Sequence, residues 1–64
     1  MLPKMLDVVK LVTGEKGAVV WEYSDTAYIV EIPPDKNGED PRIIDVKLEE
    51  IDEIVWSLET AKNS

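Results

Sequence analysis

Three stretches of the chain are rich in β-branched residues and partly alternate apolar with polar positions. They span residues 7–12, 18–23 and 27–32. Runs of this length and composition predict strands. Gly14 and Gly17 lie between the first two runs and indicate a turn, in which both glycines are expected to need a positive φ.

The second and third strands are separated only by the short polar segment 24–26. Two strand-like runs joined in this way predict a β-hairpin over residues 17–32. In the third strand, alternation places Tyr28, Val30 and Ile32 on one face. This face is the best candidate for a buried surface.

Residues 33–41 contain three prolines and the pair Asn37-Gly38, a composition that predicts a loop before a fourth strand at 42–47. The acidic residues of this loop resemble a calcium-binding run. The spacing of an EF-hand is not met, because the ligand positions before the glycine and the distal Glu are out of register. The loop is therefore interpreted as an exposed acidic turn.

The C-terminal part supports two alternatives. Apolar residues recur there at helical spacing, namely Leu48, Ile51, Ile54, Val55 and Leu58. This pattern predicts an amphipathic helix over 48–61. The succession Ile54-Val55-Trp56 instead suits a strand, which would follow a single helical turn at 48–51.

Composition limits the fold to one small domain. The chain has 64 residues, neither His nor Cys, and 14 acidic against 7 basic residues, for a net charge of −7. We expect a single domain over 1–64 with a core at 5–57 and loose ends at 1–4 and 58–64. Zinc sites and disulfides need Cys or His, so the fold must rest on packing or on a partner.

The same composition argues against several classes of function. Without His or Cys, the usual nucleophiles and neutral-pH acid–base groups are missing, and we predict no enzyme, no catalytic residue, no cofactor and no metal site. The negative charge makes nucleic-acid binding unfavourable. No apolar run is long enough to span a membrane, and a soluble cytoplasmic protein is expected.

Three segments together resemble a family of short bacterial proteins of unknown function. They are Leu6-Asp7-Val8-Val9-Lys10-Leu11, Gly14-Glu15-Lys16-Gly17-Ala18-Val19-Val20 and Tyr28-Ile29-Val30-Glu31-Ile32. The resemblance covers roughly residues 5–55. This chain departs from the family pattern in a shorter loop before Gly14 and in the pair Trp21-Glu22.

The resemblance implies a mainly β fold, a small SH3-like barrel of about five strands with a short helical turn before the last strand. The Gly-x-x-Gly-x-Val pattern is also similar to KOW-type modules of ribosomal and transcription proteins. This family expectation favours the turn at 48–51 over the alternative α+β fold with a helix at 48–61. It implies no catalytic residues.

Three aromatic side chains are candidates for partner binding: Trp21, Tyr23 and Trp56. Strict alternation puts Val19, Trp21 and Tyr23 on one face of the second strand, where they would belong to the core. If Val20 follows the inward positions of the family instead, Trp21 and Tyr23 point outward. Exposed Trp and Tyr on so small a domain would indicate an interface.

Four acidic residues complete the candidate site: Glu49, Glu50, Asp52 and Glu53. They form either a solvated surface or a patch that steers a basic partner. The favoured hypothesis is a protein-interaction module that binds a basic protein, such as an antitoxin- or immunity-like inhibitor. The alternatives are a homo-oligomeric accessory subunit and, less favoured, a KOW-like nucleic-acid or ribosome-associated module.

Overall fold

The protein is described by a computed structural model that covers residues 2–57. The strands are β1 (Val8–Leu11), β2 (Lys16–Ser24), β3 (Ala27–Ile32), β4 (Arg42–Lys47) and β5 (Ile51–Trp56). The only helical element among residues 2–57 is a 3₁₀ turn at Leu48–Glu50. The predicted mainly β fold with a helical turn near residues 48–51 is confirmed.

All five strands belong to one antiparallel sheet with the order β4-β3-β2-β1-β5. Consecutive strands are neighbours up to β4, and the 3₁₀ turn then carries the chain back so that β5 pairs with β1. This arrangement is a small barrel-like sheet, compatible with the SH3-like expectation. The alternative of a C-terminal helix over 48–61 is wrong, because residues 51–56 form a strand; residues 58–61 lie outside the described part.

One face of this sheet forms the core. It is built from aliphatic residues and a single tyrosine: Val9, Leu11, Val19, Tyr28, Val30, Ile32 and Val46. The predicted hairpin over 17–32 and the predicted buried face of β3 are both confirmed. Partly buried Ile44, Leu48, Ile51 and Ile54 pack against this cluster.

Gly17 has a role that differs from the prediction. Gly14 does have a positive φ of 94°, in the turn between β1 and β2, but Gly17 does not. Gly17 lies in β2 opposite Val9, and a Cβ there would be 2.6 Å from the Glu31 carbonyl oxygen and from Val30 Cγ1. Since real Cβ atoms do not approach so closely, Gly17 is needed for the close passage of β2 over β3.

The 3₁₀ turn is attached to the sheet at both ends. The Leu48 N–H donates to the Thr26 carbonyl at 2.9 Å, and the Val12 N–H donates to the Glu50 carbonyl at 2.9 Å. The Glu50 carboxylate also accepts a hydrogen bond of 2.9 Å from the Lys47 N–H at the start of the turn. These bonds place β5 beside β1 and bring the acidic turn close to the β2–β3 loop.

The N-terminal residues lie against the sheet. Of the segment 1–4, which was expected to be a loose end, Met1 lies outside the described residues, Pro3 is buried and the Lys4 N–H donates to Asp7 Oδ2 at 3.0 Å. The other expected loose end, 58–64, lies outside the described residues. Within residues 2–57 there is no helix with the length and apolar character of a membrane span.

Candidate functional site

The outer face of the sheet, opposite the core, carries the largest side chains of the protein. Directly paired residues of antiparallel strands project from the same face. One row of paired residues crosses all five strands and consists of Ile43, Glu31, Ala18, Val8 and Trp56. The adjacent row consists of Asp45, Ile29 and Trp21.

The structure brings the two tryptophans to this outer face. Trp21 is 54% exposed and Trp56 is 45% exposed. The third predicted aromatic, Tyr23, is also exposed, but it has no direct partner on β3 and lies at the end of the hairpin. The outer face therefore includes Trp21 and Trp56, with Tyr23 beyond its edge.

A β-bulge in β2 explains why alternation gives the wrong face for Trp21. Val19 pairs with Val30 and Trp21 pairs with Ile29, so Val20 is an extra residue between the two pairs. The extra residue shifts the alternation by one position, and Trp21 points outward although Val19 is fully buried. Val20, which the family pattern would place inward, is half-buried, and Trp21 is exposed, as that alternative expected.

The four predicted acidic residues do not form the single helical face that their spacing suggests. Glu49 and Glu50 lie on the 3₁₀ turn, and Glu50 is hydrogen-bonded to the backbone of Lys47. Asp52 is an extra residue in β5, and Glu53 pairs with Lys10. They are distributed along the turn and β5 because this segment is extended, with side chains that no longer recur at helical intervals.

Two shallow hollows are both lined by Leu48 and include some of these carboxylates. The first, of ≈ 250 Å³, is lined by Pro3, Leu48, Ile51, Asp52, Glu53 and Ile54. The second, of ≈ 510 Å³, is lined by Thr26, Ala27, Lys47, Leu48 and Glu49. Carboxylates thus border apolar side chains here, as Glu31 and Asp45 do on the outer face.

The turn before β1 contains an exposed apolar side chain, Leu6, that the sequence did not indicate as a candidate. Leu6 has a φ of 72° and is 53% exposed. The turn is closed by a hydrogen bond from the Asp7 N–H to the Lys4 carbonyl at 3.0 Å. Its two central amides are also bonded: Met5 donates to Glu22 Oε1 at 2.6 Å, and Leu6 donates to the Val19 carbonyl at 2.8 Å.

Sequence reasoning did not identify the exposed Leu6 in the turn before β1. It also did not identify Ile43, Glu31 and Asp45 as members of the outer face. Alternation in β3 and β4 would have assigned the last three to the face opposite the core. Their alignment with Trp21 and Trp56, however, depends on strand register, which the sequence does not reveal. The conformation of Leu6 has no sequence signal, because leucine is not a residue that favours positive φ.

Tyr28 is the ionisable side chain of the core cluster. The pKa of Tyr28 is raised by burial and further by the Asp25 and Glu22 carboxylates. Its hydroxyl donates to the Asp25 carbonyl at 2.7 Å. Among residues 2–57 no three His, Cys, Asp or Glu side chains are grouped so that they could hold a metal ion.

Comparison of the chain with family models, with curated proteins and with solved structures finds no match. The outer face combines two half-exposed tryptophans and Ile43 with the carboxylates Glu31 and Asp45.

Proposed function

We propose that this protein is a non-enzymatic interaction module whose outer face binds a basic partner protein. The observation that carries the proposal is the placement of Trp21 and Trp56 on one face of the sheet, each about half exposed. Tryptophan is the residue most enriched among the energetically dominant positions of interfaces. An exposed pair on a 64-residue chain is best explained by a surface that is covered in a complex.

The charge of the protein supports a basic partner over a second acidic one. Glu31 pairs with Ala18 and Ile43, and Asp45 pairs with Ile29, so both carboxylates lie within the apolar rows. A partner with Lys or Arg beside apolar side chains would satisfy both kinds of group. Two copies of this chain, each with a net charge of −7, would repel one another.

The form of this function that the acidity favours is inhibition of a nucleic-acid-processing protein in the cytoplasm. Lys and Arg side chains that bind phosphate would also attract the carboxylates of the outer face. An antitoxin- or immunity-like role is one example of such inhibition. The SH3-like barrel family is the fold assignment that accompanies it. Both are part of the proposal.

The proposal is tested by selecting ligands from a random peptide library displayed on phage, with the immobilised full chain as bait. We expect the enriched peptides to carry a net positive charge and apolar side chains. Their affinity, measured by fluorescence polarisation, should fall at least about tenfold in Trp21→Ser and in Trp56→Ser. Blue-shifted tryptophan emission on binding would report burial of the rings.

The control variant is Val12→Ser. Val12 is also an exposed apolar residue, but it follows β1 at the end remote from Leu6. Its substitution should leave the affinity unchanged. Selection of peptides without positive charge, or equal binding by wild type and both tryptophan variants, would contradict the proposal.

A second candidate function is self-association through the sheet edge formed by β4. Within residues 2–57, β4 pairs only with β3, which leaves its other side open to another strand. Sedimentation equilibrium over a range of concentrations and salt tests this alternative. A dimer that strengthens as salt screens the charge would favour it, whereas a monomer throughout would exclude it.

A further inference from the structure

The turn that closes between Lys4 and Asp7 contains a leucine where the backbone favours glycine. Leu6 is the third residue of this turn and the only non-glycine residue of 2–57 with a positive φ. The second residue, Met5, is not in the positive region, so the turn is of type II, which favours Gly or Asn at the third position. Leucine is disfavoured there because its Cβ crowds the backbone.

The conformation of Leu6 is held from several sides. The Lys4 and Asp7 backbone amides donate within the turn, to Asp7 Oδ2 and to the Lys4 carbonyl, each at 3.0 Å. The Met5 and Leu6 amides donate outward, to the Glu22 carboxylate and to the Val19 carbonyl. Asp7 itself is buried. A strained residue persists only where its surroundings determine it in this way, and such residues concentrate at functional positions.

Packing does not account for leucine at this position. More than half of the side chain is exposed, and Leu6 is not part of the core cluster. The turn bonds of Leu6 use only its backbone, which glycine would provide equally well. Stability alone would therefore favour glycine, and the leucine side chain needs another explanation.

The position of Leu6 in the sheet supplies that explanation. Its amide is bonded to Val19 of β2, two residues before Trp21. Two residues after Leu6 comes Val8, which pairs with Trp56. Since β1 lies between β2 and β5 in the sheet, the segment that precedes β1 lies between the strands that carry the two tryptophans.

We infer that Leu6 is a binding residue of the outer face, held in a left-handed conformation so that its side chain projects toward the partner beside Trp21 and Trp56. This inference rests on the proposed function. The occupant is a basic protein segment with an apolar side chain, because Glu31 and Asp45 are the charged members of the rows that hold Trp56 and Trp21. Leu6 would then contribute to affinity at the expense of stability.

The test compares the melting temperature with the affinity for the selected basic peptide in four variants of the full chain. Leu6→Gly removes both the strain and the side chain, and Leu6→Ala removes the side chain while the strain remains. We expect Leu6→Gly to melt at the same temperature as wild type or a few degrees higher, and to bind at least about fivefold more weakly. Leu6→Ala should show the same loss of affinity without any gain in melting temperature.

Val12→Ala and Trp21→Ser are the reference variants. Val12→Ala should bind as wild type does, and Trp21→Ser should lose affinity. A lower melting temperature for Leu6→Gly would overturn the inference, because Leu6 would then stabilise the fold. If both Leu6 variants keep the wild-type affinity while Trp21→Ser binds weakly, the inference about Leu6 is overturned and the proposed function stands. If the Leu6 variants and Trp21→Ser all keep the wild-type affinity, the inference and the proposed function are both overturned.

Discussion

The two faces of the sheet use their side chains in opposite ways. The inner face is filled by medium-sized aliphatic residues around one aromatic ring, Tyr28, which is 1% exposed. The outer face holds both tryptophans, although each indole could bury more apolar area than any residue of the core. In a chain without Phe, this distribution leaves about half of each of the two largest side chains exposed.

The size of a side chain therefore does not decide its burial in so small a domain. A chain of this length is expected to have a stability of about 3–10 kcal/mol. With both tryptophans outside, that stability depends on a few inner contacts of Tyr28 and its aliphatic neighbours. Substitutions on the two faces should therefore have very different consequences for stability.

The largest effect is expected when one aromatic ring is removed from each face in turn. Tyr28→Ala should destabilise the fold by about 3–5 kcal/mol, as large buried rings do when they are truncated. Trp21→Ala should change the free energy of unfolding by only about 1 kcal/mol or less. Urea unfolding followed by far-UV circular dichroism measures both, and equal losses would contradict the distinction between the faces.

A smaller effect is expected from Gly17→Ala, which tests how closely the inner side of β2 approaches β3. The new methyl group would meet the Glu31 carbonyl oxygen and Val30 at 2.6 Å, and part of that contact is backbone that cannot easily move. We expect a loss of about 1–3 kcal/mol. Because a Cβ at Gly38 would meet nothing within 4 Å, Gly38→Ala isolates the cost of a positive φ. A neutral Gly17→Ala would show that the strands are not so close.

The smallest effect is expected from Tyr28→Phe, which keeps the ring and removes the hydrogen bond to the Asp25 carbonyl. The loss at neutral pH should be about 0.5–1.5 kcal/mol. The folded state raises the pKa of Tyr28, so above pH of about 10 the unfolded chain releases the proton more readily and stability falls. The difference in unfolding free energy between wild type and Tyr28→Phe, measured from pH 7 upward, should shrink above that pH. A difference in unfolding free energy that stays constant with pH would contradict the raised pKa of Tyr28.

Much of the fold follows from local pattern, and β3 shows why. Its alternation of Tyr28, Val30 and Ile32 with smaller or polar residues predicts both a strand and its buried face, and the structure agrees. The third strand has no bulge in its pairing with β4, so the period of two is maintained throughout. Sequence reasoning works where the backbone is regular.

The candidate site was predicted only in part, because its members meet through irregular backbone. The bulge at Val20 reverses the face on which Trp21 lies. The strand β5 replaces a predicted alternative helix because pairing with β1 outweighs the helical spacing of its apolar residues. Ile43 and Trp56 join one row only through the register of all five strands.

The strands, the hairpin, the net charge of −7 and the lack of His and Cys chemistry can all be read from the amino-acid sequence. These properties depend on composition and on residues that are close together along the chain. Tertiary structure decided the positions of the bulges, the close approach at Gly17, the strained turn at Leu6 and the outer face shared by both tryptophans. Each of these depends on contacts between segments distant in sequence, whose energies no local pattern contains.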